Sequence, residues 1–248
     1  MLDDHDWAVS LEGDAFDLED ARELFGAGTE LCVCTIHVPP DRNPTVLMAE
    51  EFDVLKDTSH VIETSRQIID VLNGILFVQQ IERRPLRPGA VHRRNDDGTW
   101  GPGTIHARME AFEGRARMRA SATILRAPGA PPLPPPPAPP HVRWMKEASN
   151  SDIVLDVFTY LRDEPDWFDL YKAFELMRHD VNKTLGQGKT SEIGWPNTDF
   201  FRESAQVHRH SRAKTLRYDL TTAMPLLEAR QFLGRITRIW LDWRFPRS

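Results

Sequence analysis

The chain has 248 residues, of which 40% are hydrophobic and 27% charged, and its formal net charge at pH 7 is -6. These values are typical of a globular protein with one large domain or two small ones. No apolar stretch is long enough to cross a membrane, and the acidic start MLDDHDWAVS is unlike a secretory signal, so we expect no membrane partner. The only cysteines, Cys32 and Cys34, are too close in sequence to join distant parts of the fold by a disulfide, which favours a reducing, cytoplasmic location.

Basic side chains gather towards the C-terminal end. Residues 1–141 hold 14 basic and 22 acidic side chains, whereas residues 202–248 hold 10 basic and 4 acidic ones. A polyanionic partner such as a nucleic acid is therefore expected to meet the C-terminal end of the chain.

The first 126 residues show the mixed pattern of an α+β domain, whose role the sequence does not identify. TELCVCTIHV (29–38) alternates as a strand does, and PTVLMA (44–49) predicts a second strand. Ser59 is the expected cap of a helix that ends at Gly74, and ILFVQQIE (75–82) is the strand expected to follow it.

Two alternating runs flank Asp97-Gly98, a dipeptide that favours the tight turn of a β-hairpin. RARMRASATILRA (115–127) predicts a further strand. This strand would carry several arginines on one face, with two more nearby: Arg115, Arg117, Arg119, Arg93 and Arg94. Two interpretations of these arginines stay open, a basic sheet surface for RNA or the solvated face of an edge strand.

The proline-rich stretch APGAPPLPPPPAPPH, residues 127–141, separates this domain from the rest of the chain. Proline runs cannot join a helix or a central strand, and they favour the extended polyproline II conformation. We therefore predict a semi-rigid linker between a domain of residues 1–126 and a domain of residues 142–248. A ligand for a proline-binding partner module is the alternative.

The second domain is predicted to be all-helical. Helices are expected to start at Ser151, Asp166, Asp199 and Pro225, because each precedes an apolar stripe with helical spacing. Four such stripes fit a small antiparallel bundle. Trp167 is expected in its core rather than as a platform for stacking bases. The predicted fold class is thus α+β: a mixed strand and helix domain, a proline-rich linker and an all-α antiparallel helical bundle.

The stretch FFRESAQVHRHSRAKTLRY, residues 200–218, follows the start of the third predicted helix and is rich in basic side chains. Arg202, followed by Glu203, is separated from His208 by five intervening residues. This motif, and the order of helices over roughly residues 145–245, resemble the HEPN superfamily (higher eukaryotes and prokaryotes nucleotide-binding domains). Glu203 stands where that family usually has a small polar residue.

The resemblance implies a metal-independent endoribonuclease of a bacterial defence or toxin system, which acts on RNA as a homodimer. It also leaves room for an antitoxin or another protein partner. By this resemblance His208 is the general base or acid and Arg202 holds the phosphate, and we expect Arg209, His210 and Arg212 to contact phosphate as well. Histidine exchanges protons near neutral pH, and the planar guanidinium of arginine can donate two hydrogen bonds to a phosphate. Both side chains therefore suit this chemistry.

Helix geometry restricts how the two residues can act. Six residues at about 100° each leave the side chains of Arg202 and His208 about 120° apart on a straight helix. They would converge at a kink, or across a dimer that pairs two copies of the motif. Two other interpretations stay open: a non-catalytic module that binds nucleic acid or protein through the bundle, and a solvated helix surface.

No cofactor or metal is predicted. LGQGKTS ends like a phosphate-binding loop but has Lys183 where the motif needs glycine, and it follows a helix, so we expect an inter-helix loop. Cys32 and Cys34 alternate onto one strand face and His37 onto the other. This arrangement favours packing of the cysteines over metal binding.

Overall fold

A computed structural model describes residues 5–26, 30–79, 83–105, 140–209 and 223–246. The chain divides into two compact units, which we call the sheet unit (residues 1–65 and 86–143) and the helical unit (residues 66–85 and 144–248). The helical unit includes residues 66–85, which the sequence analysis placed in the N-terminal domain. Most of the predicted linker, residues 127–139, lies outside the described residues.

The sheet unit is built on a five-stranded antiparallel sheet. Its strands are β1 Trp7–Glu12, β2 Leu31–Thr35, β3 Thr45–Ala49, β4 Arg87–Arg93 and β5 Thr104–Ile105, in the order β2-β3-β1-β4-β5. The predicted strands within 29–38 and 44–49 are confirmed as β2 and β3. The central strand β1 is missing from the prediction, although Val9 to Glu12 alternate between apolar and polar residues as a strand does.

The predicted hairpin around Asp97-Gly98 is confirmed. β4 and β5 pair as antiparallel neighbours. Gly98 in the turn has a φ of 82°, a conformation that glycine adopts without the steric cost of a Cβ. The predicted strand 115–127, with its three arginines, lies outside the described residues.

Two helices of the sheet unit are also missing from the prediction. Helix α1, Ala15–Phe25, begins after Asp14, whose carboxylate accepts a hydrogen bond from the backbone N of Phe16 at 2.9 Å and so caps the helix. Helix α2, Glu50–Asp53, is a single turn directly after β3.

Helix α3, Thr58–Gln79, corrects two predictions. Its cap is Asp57 rather than Ser59, because the Asp57 carboxylate accepts hydrogen bonds from the backbone N of Ser59 and of the residue after it, both at 3.0 Å. The helix continues through Gly74, so the strand predicted for 75–82 is wrong over its described part. Gly74 serves close packing instead of ending the helix, because a Cβ there would lie 2.6 Å from the Cβ of Phe158.

The described C-terminal half is helical, as predicted. Its helices are α4 Pro140–Asn150, α5 Asp152–Leu161, α6 Trp167–Leu185, α7 Asp199–Arg209 and α8 Leu226–Arg244. The four predicted helices are confirmed as α5 to α8. Helix α4 is additional, and its first two residues occupy the end of the predicted linker. In the described part of the chain, no helix is long and apolar enough to cross a membrane.

Two hydrogen bonds fix the direction of α8 relative to α6. Nε of Arg230, early in α8, donates to the carbonyl of Pro165, just before α6, at 2.9 Å. Nε1 of Trp240 donates to Oδ2 of Asp180, late in α6, also at 2.9 Å. The two helices therefore run in the same direction. Helix α7 runs the opposite way, because its last turn contacts Trp167 at the start of α6, as in an up-down-up bundle.

Candidate functional site

The start of α6 forms the floor of the candidate site. The Asp166 carboxylate accepts hydrogen bonds from the backbone N of Phe168 at 2.7 Å and of Asp169 at 3.1 Å, and the Asp169 side chain accepts one in return from the backbone N of Asp166. This capping box fixes the first helical turn. Burial raises the pKa of the Asp169 carboxyl. The first residue of the helix, Trp167, is buried, with 9% of its surface exposed.

A layer of aromatic rings holds α7 against α6 and α8. The Phe201 ring centroid lies 5.4 Å from those of Phe174 and Phe232 and 5.9 Å from that of Trp167. One turn further along α7, the Ser204 hydroxyl accepts a hydrogen bond at 2.8 Å from the backbone N that precedes α8 by two residues. Burial of a large apolar ring contributes about 1.5–3 kcal/mol. These contacts therefore fix the orientation of α7, and with it the positions of the predicted site residues.

Arg202 lies at the edge of this layer. Its side chain is 40% exposed, and Nη1 lies 3.2 Å from Oδ1 of Asp199 in an ion pair across one turn. Nε is buried and has no hydrogen-bond partner in the described part of the chain. An exposed ion pair contributes only about 0–1 kcal/mol. A phosphate group can therefore compete with Asp199 for the planar guanidinium.

His208 lies in the last turn of α7 and is exposed. Its imidazole stacks flat on the indole of Trp167, with the ring centroids 4.7 Å apart and the planes 9° from parallel. The stack covers one face of the imidazole, and no hydrogen bond among the described residues engages its nitrogen atoms. The ring is therefore held in one orientation, while the atoms that exchange protons stay open to a substrate.

The structure does not bring Arg202 and His208 together within one chain. They lie on one helix, six residues apart, so their side chains leave the helix about 120° from each other. Between the two described side chains there is neither a hydrogen bond nor an ion pair, since Arg202 pairs with Asp199 and His208 stacks on Trp167. A site that uses both residues on one phosphate requires a second copy of α7.

The remaining predicted site residues lie beyond the described side chains. Arg209 closes α7, but its side chain, like all of His210 and Arg212, is outside the described residues. Their contacts with phosphate therefore stay predictions. Glu203, next to Arg202, is exposed.

Two other features singled out in the sequence are LGQGKTS and the possible metal ligands near β2. LGQGKTS runs from the end of α6 through a glycine loop into a single-turn 3-10 helix, Thr190–Ile193. Gly186 and Gly188 have positive φ, and Lys189 forms an ion pair with Glu192. Within the described ranges, no group of three His, Cys, Asp or Glu side chains is placed to hold a metal. His37 bonds to Asn43 at 3.1 Å and is exposed.

Sequence reasoning missed the contact between Trp167 and His208. The apolar stripe of α6 correctly predicts that Trp167 is buried, but a stripe gives no sign of which side chain will lie on the ring. The two residues belong to different helices, and only the packing of Phe201 against Phe174 brings those helices into register.

Comparisons with protein-family models, with curated proteins and with solved structures found no match to this chain. The functional assignment therefore depends on the motif of α7 and on the geometry of the side chains around it.

Proposed function

We propose that the protein is a metal-independent endoribonuclease of the bacterial defence or toxin type, which works in the cytoplasm as a homodimer, as the resemblance to the HEPN superfamily implies. The observation that carries this proposal is the flat stack of the exposed His208 imidazole on the buried indole of Trp167. General acid–base catalysis requires an imidazole that is held in orientation and open at its nitrogens. The helical unit supplies such a ring and, six residues earlier on the same helix and on a different face, an arginine that can hold phosphate.

In the proposed reaction, His208 takes the proton from a ribose 2′-hydroxyl of the RNA. The 2′-oxygen attacks the neighbouring phosphorus, the bond from phosphorus to the 5′-oxygen of the next nucleotide breaks, and that oxygen takes up a proton. The products are a 2′,3′-cyclic phosphate and a 5′-hydroxyl. Arg202 donates hydrogen bonds to the phosphate oxygens, on which negative charge accumulates in the transition state.

The divergence of the two side chains on α7 determines the architecture of the proposed site. Arg202 of one copy acts with His208 of a second copy, and a twofold axis then creates two equal sites. When phosphate binds, the ion pair between Arg202 and Asp199 opens, which costs little because that pair is exposed.

The test is RNA cleavage by the purified protein in the presence of EDTA. Wild type should cleave mixed cellular RNA to ends with 2′,3′-cyclic phosphate, and His208→Ala should lose about 10²–10⁴-fold of the rate, the usual contribution of a general acid or base. His179→Ala is the matched control, because His179 is an exposed histidine on α6 outside the site. Intact RNA with wild type, or equal loss in both variants, would contradict the proposal.

The ion pair of Arg202 favours a second candidate function, a non-catalytic module that binds RNA through its phosphates. Arg202 can bind a phosphate without any contribution from His208, since the two lie apart on α7. In this case Arg202→Gln should weaken RNA binding. It should also reduce by about one unit the slope of the logarithm of the binding constant against the logarithm of the salt concentration. Asp199→Asn removes the competing carboxylate and should strengthen binding by about two- to fivefold. His208→Ala should leave binding unchanged, and no RNA should be cut.

A further inference from the structure

Three sulfur-bearing side chains meet on one face of the sheet unit, far in sequence from α7. We propose that Cys32, Cys34 and Met48 form a binding site for a soft monovalent cation, Cu(I). This site is separate from the proposed nuclease site and does not depend on it.

The register of β2 and β3 places the three side chains together. Cys32 lies directly opposite Met48, and Cys34 lies opposite Val46. Opposite residues of antiparallel strands point to the same face with their Cβ atoms about 4.5–5.5 Å apart, and residues two apart on one strand share that face. Cys34 also packs against the buried cluster that contains Met48 and Val46. The three side chains therefore start from neighbouring positions on one face of the sheet.

The cluster is open to a small ion but not to a large ligand. Cys32 and Met48 are buried, with 6% and 0% exposed, whereas Cys34 is only partly buried. β2 is an edge strand of the sheet. An ion can therefore enter at Cys34 and complete its coordination with Cys32 and Met48.

Neither cysteine is in a disulfide, and the Cys32 thiol donates a hydrogen bond to the carbonyl of Gly26 at 3.6 Å, which it would give up to bind an ion. Thiolate is the form of cysteine that binds metals. Both cysteines therefore release their protons when the ion binds, so binding should tighten as the pH rises.

A disulfide between the two cysteines does not fit β2. Residues two apart on a strand are separated by about 6.6 Å, at the upper end of the Cα distances that a disulfide spans. Closing the bond would distort the pairing of β2 with β3. Two parallel thiols at this spacing are better suited to bridge through an ion than to bond directly.

The chemistry of the three ligands selects the ion. Thiolate and thioether sulfur favour Cu(I), whereas structural Zn²⁺ takes four nitrogen or thiolate ligands. In the part of the chain that the structure describes, no third His, Cys, Asp or Glu joins the two cysteines. A tetrahedral zinc site is thus incomplete there, while two thiolates and a thioether supply a soft site of low coordination.

The test is anaerobic titration of the reduced full chain with Cu(I) in competition with a chromogenic Cu(I) chelator. Wild type should take one equivalent, and Cys32→Ser and Cys34→Ser should each abolish it. Met48→Leu, which keeps the size and apolar character of the side chain, should weaken binding roughly tenfold, at the lower end of losses at metal sites. Met177→Leu is the matched control, a buried methionine of the helical unit, and should bind as wild type does.

Thermal unfolding of each variant shows whether it is folded at the temperature of the titration. If wild type takes no Cu(I), or if a folded cysteine variant binds as tightly as wild type, the site does not exist. If Met48→Leu keeps wild-type affinity while both serine variants lose it, the thioether is not a ligand and the three-sulfur proposal is wrong. Equal competition by Zn²⁺ would contradict the selection of a soft ion.

Discussion

The two proposed sites differ in how secondary structure places their side chains. On α7, a separation of six residues turns Arg202 and His208 about 120° away from each other. On β2, a separation of two residues brings Cys32 and Cys34 to one face, and the neighbouring strand adds Met48. As proposed, the helical site is completed by a second copy of the chain, whereas all three residues of the proposed sheet site lie in one chain.

The two sites also differ in exposure, and this fits their proposed ligands. His208 is exposed on top of a buried indole, as contact with a macromolecule requires. Cys32 and Met48 are buried, and only Cys34 is partly open. An exposed imidazole suits a macromolecular ligand, whereas the mostly buried sulfur side chains suit only a small ion.

Mixing two inactive variants gives the largest effect that this comparison predicts. Arg202→Ala and His208→Ala chains should each fail to cleave RNA. In a mixed dimer, however, one of the two sites keeps both residues intact. Random pairing makes about half of the dimers mixed, and each mixed dimer has one intact site of two. About a quarter of the wild-type cleavage rate should therefore return. The measurement is RNA cleavage in EDTA after subunit exchange, with differently tagged copies to confirm that exchange has occurred.

The sheet site predicts the opposite result in the same design. A mixture of Cys32→Ser and Met48→Leu chains should bind Cu(I) only as the average of the two separate proteins, because each chain holds its whole site. Failure of the first mixture to recover activity despite subunit exchange would show that Arg202 and His208 are not shared between copies. Recovery of Cu(I) binding in the second mixture would show that the sulfur ligands are shared between copies of the chain.

The next largest predicted effect is a loss of stability in the helical unit. The Asp180 carboxylate, 7% exposed, joins α6 to α8 by accepting hydrogen bonds from Nε1 of Trp240 at 2.9 Å and from Nη1 of Arg244 at 2.5 Å. Asp180→Asn keeps the size of the side chain but leaves Arg244 without its counter-charge. The free energy of unfolding should fall by about 2–3 kcal/mol, less than for a fully buried pair because the Arg244 side chain is 27% exposed.

Urea unfolding followed by tryptophan fluorescence measures this loss. Glu175→Gln is the matched control, because it breaks an exposed ion pair with Lys172 on the same helix and should cost only about 0–1 kcal/mol. Below the unfolding transition, Asp180→Asn should bind Cu(I) as wild type does, since all three sulfur ligands lie in the sheet unit. Equal destabilisation by both substitutions would mean that the buried pair does not hold α8.

The elements that the sequence predicts correctly are those defined by local chemistry. Asp166 caps α6 through its own hydrogen bonds, and Gly98 supplies the positive φ of the hairpin turn. The elements that it misses depend on distant contacts. Gly74 resembles a helix stop, yet α3 continues because the glycine packs against Phe158. The central position of β1 depends on its pairing with β3 and β4, which lie far along the chain.

The same distinction applies to the two sites. The motif of Arg202 and His208 and the 120° between them can be predicted, since both residues lie on one helix. The position of Met48 opposite Cys32 cannot, because strand register depends on how the strands pair in the folded sheet. Alternation alone therefore predicts a pair of packed cysteines, and the position of Met48 opposite Cys32 is known only from the structure.

The smallest predicted effect is a pH dependence in the sheet unit. Nε2 of the buried His141 donates to the carbonyl of Leu24 at the end of α1, and its ring lies edge-on to Phe25 with the centroids 5.0 Å apart. Burial lowers the pKa of His141 below its ordinary value of 6.5, and the hydrogen bond to Leu24 offsets this only in part. The unfolded chain therefore binds the proton more readily than the folded one. The stabilisation is complete above pH 6.5 and is lost as the pH falls through the folded pKa.

His141→Gln retains a donor for the Leu24 carbonyl but does not titrate. The free energy of unfolding should fall less steeply for this variant than for wild type as the pH is lowered from 7.5 towards 5, a range of about two to three units around the ordinary histidine pKa. The difference between the two curves isolates His141, because every other titrating group is common to both proteins. Parallel curves would show that His141 has the same proton affinity in the folded and unfolded chain, and that its burial against α1 carries no electrostatic cost.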